Sequence, residues 1–94
     1  MRVSGIKLIN KITLFTRPNC GLCETAKRTI QSLEHKYQVP FEYKEVDITK
    51  AENKQWKDIY DFDVPVAHVY KSGHSDFVKF MHRLEAEKVL DVLK

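Results

Sequence analysis

The sequence has no long apolar run and few cysteines, glycines or prolines. Its 94 residues include two cysteines, three glycines and three prolines. No segment approaches the roughly 18 consecutive apolar residues of a membrane span, and no apolar signal segment precedes the first predicted strand. We therefore expect no membrane association. We predict a cytoplasmic protein, with a mitochondrial location as the alternative.

The two cysteines are too few and too close together to hold a small fold. Cys20 and Cys23 are three positions apart. Closing so short a loop removes little entropy from the unfolded chain, so a bridge between them would add little stability. Thiols inside cells are kept reduced by default. The pair therefore indicates chemistry rather than cross-linking.

Charge of one sign does not dominate the sequence. Sixteen Lys and Arg residues against thirteen Asp and Glu give a net charge of +3, and both signs are mixed along most of the chain. A basic stripe with interleaved aromatic residues, which is typical of nucleic-acid binding, is missing, so we expect no nucleic-acid partner. Only the start is one-sided, because the first acidic residue is Glu24. We predict a flexible basic segment over 1–10, with the mature end of an organelle-targeted precursor as the alternative.

The hydrophobic pattern predicts seven elements in one domain over 1–94. Apolar periodicity, β-branched content and turn residues define each of them. The strands are predicted over 11–16, 41–48, 66–70 and 76–81, with a bulge in the second where its alternation changes phase, and a tight turn at Gly73. The helices are predicted to bury Leu22, Ala26, Ile30, Leu33 and Tyr37 in the first, Trp56, Ile59 and Tyr60 in the second (51–60), and Leu84 or Ala86 with Val89, Leu90 and Leu93 in the third (84–93).

The order of these elements predicts an α/β fold. A β-α-β-α-β-β-α order suits a four-stranded mixed sheet with helices on both faces, because each strand-helix-strand unit needs a right-handed crossover and the last two strands can form a hairpin. This is the thioredoxin-type architecture, and the prediction uses no motif.

The position of the cysteines predicts dithiol chemistry. Cys20 falls where the first strand gives way to the first helix, and a helix N-terminus stabilises a thiolate. Arg17 can add positive charge. We predict that Cys20 attacks, that Cys23 is the buried resolving partner, and that the two form a redox-active disulfide. A Cys-x-x-Cys at such a junction is typical of redox proteins.

A structural zinc site is the alternative for this Cys-x-x-Cys. It needs four ligands, and the four histidines show no paired spacing that would complete it. They are His35, His68, His74 and His82. We predict no metal site.

The Val64-Pro65 pair is a second candidate feature. A proline is acceptable as the first residue of a strand, which is its plain structural interpretation. In the predicted fold this turn lies beside the start of the first helix. We predict a cis peptide bond there, with the backbone of Val64 available to pair with a peptide-like substrate.

Taken together, these features resemble the glutaredoxins, and more closely a glutaredoxin-like branch of the thioredoxin superfamily. The resemblance extends from Lys11 to Leu93. It is carried by Leu14-Phe15-Thr16-Arg17-Pro18-Asn19-Cys20-Gly21-Leu22-Cys23, Glu45-Val46-Asp47-Ile48, Val64-Pro65-Val66 and Phe80-Met81-His82-Arg83. The resemblance implies that Arg17 holds the glycine carboxylate of glutathione and that Val64-Pro65 offers backbone hydrogen bonds to the cysteine of glutathione.

Two positions depart from the glutaredoxin pattern. Asp63 replaces the usual threonine before valine-proline and places negative charge near an anionic tripeptide. Met81-His82-Arg83-Leu84-Glu85 replaces the double glycine and acidic cap that receive the γ-glutamyl end. Arg83 either pairs with a substrate carboxylate or is a solvated residue at the start of the helix, and both interpretations stay open.

The position of the cysteines and the companion Val64-Pro65 pair predict a monomeric thiol–disulfide oxidoreductase. It would reduce disulfide-containing proteins or glutathione mixed disulfides, with glutathione as a possible co-substrate and no permanently bound cofactor. Two alternatives remain. Gly21 after the first cysteine is similar to single-cysteine glutaredoxins, which predicts an iron–sulfur cluster or metal-handling module. The other is a redox-inert interaction domain.

Overall fold

The computed structural model of the protein describes residues 9–93 and contains the predicted elements in the predicted order. The strands are β1 (Asn10–Thr16), β2 (Phe41–Asp47), β3 (Val66–Tyr70) and β4 (Phe77–Met81). The helices are α1 (Gly21–Lys36), α2 (Lys54–Tyr60), which follows a single 3₁₀ turn over Ala51–Asn53, and α3 (Ala86–Leu93). Gly73 takes a φ of 79° in the turn between β3 and β4, as predicted. None of the helices in the described part of the chain is long and apolar enough to cross a membrane.

The four strands form one mixed sheet in the order β2-β1-β3-β4. β1 is parallel to β2 and antiparallel to β3, which is antiparallel to β4. Phe15 lies opposite Val46 on one side and Val66 on the other, and Val66 lies opposite Met81. The end of β1 therefore lies between the end of β2 and the start of β3, with the end of β4 one strand further on, and the chain leaves this end of the sheet toward Cys20.

Both faces of the sheet are covered by helices, as predicted. The larger core cluster lies between the sheet and the helices α1 and α3 and includes Ile12, Leu14, Ile30, Leu33, Val69 and Val89. The smaller cluster lies on the α2 face and consists of Phe15, Val46, Ile48, Tyr60 and Val66, with Trp56 and Val64 packed against it.

Helix α1 buries a different stripe from the one predicted. Cys23, Ala26, Ile30 and Leu33 are buried, whereas the side chain of Leu22 is 48% exposed. Because successive helical residues are about 100° apart, a stripe that includes Cys23 turns Leu22 toward solvent. Tyr37, also predicted to be buried, is exposed because α1 ends at Lys36.

The predicted bulge in β2 is wrong. Every residue of β2 pairs in unbroken register with β1, from Asn10 opposite Phe41 to Thr16 opposite Asp47. The phase change has another cause: Phe41 packs against the α1 and α3 cluster, whereas Val46 packs against the α2 cluster. A straight strand that contacts two cores, one on each face, reverses its apolar pattern without an extra residue.

Two further expectations need correction. Ile59 is 60% exposed, because the short helix α2 buries Trp56 and Tyr60 on one side and turns Ile59 away. The predicted flexible segment over 1–10 lies outside the described residues except at its end. There Asn10 is buried: its Nδ2 donates to the carbonyl oxygens of Leu93 (3.2 Å) and Pro40 (3.4 Å), and its Oδ1 accepts from the Ser72 amide (2.8 Å).

A histidine is buried on the α2 face. His68 is 4% exposed, its Nε2 lies 2.8 Å from the Tyr60 hydroxyl, and its ring stacks on Phe77 with centroids 3.9 Å apart. Burial, and secondarily the charge of Lys79, lowers the pKa of His68 below its ordinary value of 6.5. His68 is therefore a neutral structural residue, and it lies in the middle of β3 rather than at the cysteines.

The lowered pKa of His68 predicts acid sensitivity. Below pH 6.5 the unfolded chain binds a proton at His68 that the folded chain does not bind, so the free energy of unfolding falls as the pH falls. One proton corresponds to a slope of at most about 1.4 kcal/mol per pH unit. Urea unfolding from pH 7 to about pH 5 should give a flatter profile for His68→Gln than for the wild type. His74→Gln, at an exposed turn histidine, is the control and should keep the wild-type slope; equal flattening in both variants would contradict the assignment.

Candidate functional site

The first cysteine begins the first helix. Cys20 is the N-cap of α1: its backbone is extended, with φ −118°, and its Sγ accepts a hydrogen bond from the Cys23 amide at 3.2 Å. Asn19, just before it, takes a φ of 58°, which asparagine tolerates better than most residues. The sulfur thus occupies the position at which serine or aspartate oxygens normally cap helices, where amide donors and the helix dipole favour negative charge.

The second cysteine is one turn further on and is buried. Cys23 is 1% exposed, and both cysteines are free thiols in this structure. Burial, followed by hydrogen bonding with Cys20, raises the pKa of Cys23 to about 11, although the backbone and charge of Arg17 act in the opposite direction. Cys23 is therefore a neutral thiol at neutral pH, which leaves the half-buried Cys20 as the candidate nucleophile. A disulfide between them stays a prediction.

Arg17 makes a contact that sequence reasoning missed. Its Nη2 donates to both the backbone carbonyl and the carboxylate of Asp61, in the loop that follows α2. The two side chains are 34% and 35% exposed, so the ion pair lies at the surface of the site. The only signal in the sequence is the acidic run Asp61-Phe62-Asp63 before Val64-Pro65. Since Arg17 and Asp61 are 44 positions apart, their contact depends on the fold.

The peptide bond between Val64 and Pro65 is cis, as predicted. Pro65 is buried and directly precedes β3, whose first residue, Val66, lies opposite Phe15. By this register Pro65 is next to Thr16, at the end of β1 from which the chain turns toward Cys20. The topology thus brings the cysteine segment and the proline segment to the same end of the two central strands, β1 and β3. Their contact with substrate stays a prediction.

The segment after β4 is hydrogen-bonded to Pro65. The His82 amide donates to the Pro65 carbonyl at 2.7 Å, and the Arg83 amide donates to the Met81 carbonyl at 2.8 Å. His82 has a φ of 65°, a left-handed conformation that glycine adopts more easily. The segment that replaces the double glycine therefore still forms a tight turn, but it carries three exposed side chains, those of Met81, His82 and Arg83. A substrate contact of Arg83 stays a prediction.

A groove of about 580 Å³ lies beside the proline segment. Asp61, Phe62 and Asp63 line one part of it, and the three lysines Lys50, Lys54 and Lys57 line another. Phe62 is 91% exposed. Neither cysteine lines this groove, so it adjoins the candidate site rather than containing it.

Metal-ligating side chains are not clustered in the described part of the chain. Within residues 9–93, no group of three or more His, Cys, Asp or Glu residues has an arrangement that could hold a metal ion. His35 is exposed on α1.

The sheet order and the two cysteines at the start of α1 define a protein of the thioredoxin fold. Solved structures agree. Thioredoxin O2 from Arabidopsis thaliana matches with a TM-score of 0.66 and 19% identity over 90% of this chain and 72% of that one. A thioredoxin-like protein from Clostridium perfringens matches with a TM-score of 0.73 and 14% identity over 95% and 71%. These likenesses establish the fold.

The chain belongs to the glutaredoxin-like family. Residues 11–94 match the family described as "Glutaredoxin-like domain (DUF836)". The chain is also 36% identical, over 89 residues, to the "Glutaredoxin-like protein YDR286C homolog" of Dictyostelium discoideum, covering 93% of this chain and 77% of that protein. The resemblance found in the sequence is thereby confirmed, and the family supports a function of the redox type.

Proposed function

We propose that this protein is a thiol–disulfide oxidoreductase that uses Cys20 and Cys23 as a dithiol. One observation carries the proposal: the Cys20 sulfur caps the N-terminus of α1, while Cys23 lies buried as a thiol one turn away. This arrangement favours attack by the Cys20 sulfur as a thiolate and leaves Cys23 as a protonated thiol for the second step. Family membership supports redox chemistry in general.

In the first step the Cys20 thiolate attacks one sulfur of a substrate disulfide. A bond forms between Cys20 and that sulfur, the substrate S–S bond breaks, and the departing thiolate takes up a proton. In the second step Cys23 loses its proton and attacks Cys20, which releases the second substrate thiol. The substrate gains two electrons and two protons, and the protein becomes the Cys20–Cys23 disulfide. Two molecules of an external thiol such as glutathione restore the dithiol and leave as their own disulfide.

The surroundings of Cys23 suit this order of steps. Burial is the largest cause of the raised pKa of Cys23, and while Cys20 is free, hydrogen bonding with Cys20 and the charge of Cys20 raise that pKa further. Once Cys20 is bound in a mixed disulfide, those two influences end. The Arg17 backbone and charge, which lower the pKa, remain. Formation of the mixed disulfide at Cys20 therefore lowers the pKa of Cys23 toward its ordinary value, although burial still raises it.

The proposed substrates are disulfide-containing proteins and glutathione mixed disulfides. Arg17 and the Val64-Pro65 backbone would position them, and Arg83 would contact a substrate carboxylate. We further propose that the protein acts as a monomer in the cytoplasm, with glutathione as a co-substrate and without a permanently bound cofactor, a nucleic-acid partner or a membrane.

The proposal is tested by trapping. Cys23→Ser, incubated with a small disulfide, should stop after the first step and accumulate a mixed disulfide at Cys20. Wild-type protein should end as an internal disulfide, lighter by the two thiol hydrogens. Intact mass and peptide mapping distinguish these products. The double variant with Cys20→Ser as well is the control and should form no adduct. If Cys23→Ser forms no adduct, or the adduct is on no cysteine, the proposal fails.

A further inference from the structure

The cation nearest to the cysteines in sequence is already engaged within the protein. Arg17 donates from the same nitrogen to the carbonyl and the carboxylate of Asp61. A guanidinium and a carboxylate form the strong, charge-assisted kind of hydrogen bond. Any other carboxylate that approaches Arg17 must therefore compete with the one supplied by Asp61.

This ion pair joins the two segments that meet beside Cys20. Arg17 is three residues before Cys20, and its backbone and charge both act on Cys23. Asp61 is four residues before Pro65, in the loop that leads to the cis peptide bond. A substrate sulfur at Cys20 thus brings its own neighbouring residues close to the Arg17–Asp61 pair.

A second acidic residue, Asp63, lies in the same loop as Asp61 and adds to its negative charge. Asp63 is one residue before Val64; burial raises the pKa of Tyr60, and the charge of Asp63 raises it further. Since Asp61 neutralises Arg17, the further charge of Asp63 leaves these three residues with one net negative charge.

We propose that Asp61 is a specificity-determining residue that masks Arg17 and makes the site favour disulfides in cationic peptide segments over those beside carboxylates. This inference rests on the proposed function and names a class of substrate for it. A carboxylate must displace Asp61 and meets Asp63, whereas a lysine or arginine beside the substrate cysteine meets both acids without displacing either. Complementary charge of this kind selects partners more than it adds affinity.

The expected effect is moderate because the ion pair is partly exposed. A single such charge changes interaction energies by a fraction of a kcal/mol to about 1 kcal/mol. Removal of the Asp61 charge should favour an anionic substrate and disfavour a cationic one. The two free-energy changes therefore add when the kcat/KM values of the two substrates are compared as a ratio. We expect removal of the Asp61 charge to change that ratio by about threefold to tenfold.

The experiment compares two disulfide-linked peptide substrates that differ only in Glu or Lys beside the cysteine. Wild-type protein should reduce the lysine peptide with the higher kcat/KM. Asp61→Asn should raise the ratio of glutamate-peptide to lysine-peptide kcat/KM by about threefold to tenfold. Asp58→Asn is the matched control. Asp58 pairs with Lys54 at 3.1 Å on the exposed side of α2, and removal of the Asp58 charge should leave the ratio unchanged.

Each outcome decides between the two proposals. If the wild type reduces neither peptide, the proposed function fails. If it reduces both but Asp61→Asn leaves the ratio unchanged, or Asp58→Asn shifts it equally, only the role of Asp61 is wrong. Salt provides a measurement without a variant, because raising ionic strength to about 0.5 M screens exposed charges. The wild-type preference for the lysine peptide should then shrink, and a preference that is insensitive to salt would overturn the inference even if Asp61→Asn does not fold.

Discussion

Replacing Cys20 by serine is expected to abolish disulfide reduction, with a loss of at least about a thousandfold in kcat/KM. A hydroxyl is far less acidic than a thiol, so the helix N-terminus that favours a thiolate cannot supply an oxygen nucleophile at neutral pH. Serine also cannot form the mixed disulfide through which both steps pass. The measurement is the initial rate of reduction of a small mixed disulfide at pH 7.

Cys23→Ser is the matched control for this loss. It removes the resolving sulfur but leaves the Cys20 sulfur at the start of α1, so the first attack should continue, and a stoichiometric burst of released thiol should be seen. A Cys20→Ser variant that keeps its rate within about tenfold of the wild type would remove Cys20 from the mechanism.

Phe15→Ala is expected to lower the free energy of unfolding by about 3–5 kcal/mol. Phe15 is 2% exposed at the centre of the α2 face, and its ring centroid lies 4.6 Å from that of Trp56 and 4.7 Å from that of His68. Truncation removes the buried ring and leaves a cavity that the sheet behind it cannot close. Urea denaturation monitored by circular dichroism gives the difference.

Phe62→Ala is the control for the same chemical change without burial. Because Phe62 is 91% exposed, its truncation should change the free energy of unfolding by no more than about 0.5 kcal/mol. A Phe15→Ala cost below about 1 kcal/mol, or a similar cost at Phe62, would contradict the packing described for the α2 face.

Local patterns were sufficient to predict the fold. The tight turn at Gly73 and the β-branched run of β3 are features of short segments, and the sheet followed from their order. The errors came where burial depends on which neighbour a segment meets. Leu22 and Ile59 have the right character for a core, but α1 buries Cys23 and α2 buries Tyr60 instead. The two-sided burial of β2 produced a pattern that resembled a bulge.

In the candidate site, too, the local motif was predictable and the tertiary contact was not. The Cys20 and Cys23 pair is a local motif, so its position at the start of a helix was predictable from a few residues. The Arg17–Asp61 contact joins positions 44 apart. Arg17 was therefore predicted to face a thiolate or a substrate, while the acid that engages it became visible only when the β1–α1 and α2–β3 loops were placed side by side. Charge partners of this kind need tertiary structure.

The buried Asn10 side chain has a practical consequence for experiments on this protein. It joins the beginning of β1 to the carbonyl of Leu93 near the end of α3. β1 runs from there to Thr16, a distance of about 20 Å at the usual rise per residue. Residues 10 and 93 therefore lie together at the end of the sheet remote from Cys20. A fluorophore or a surface tether attached at this end of the sheet would therefore lie about 20 Å from the end at which a bulky disulfide approaches Cys20.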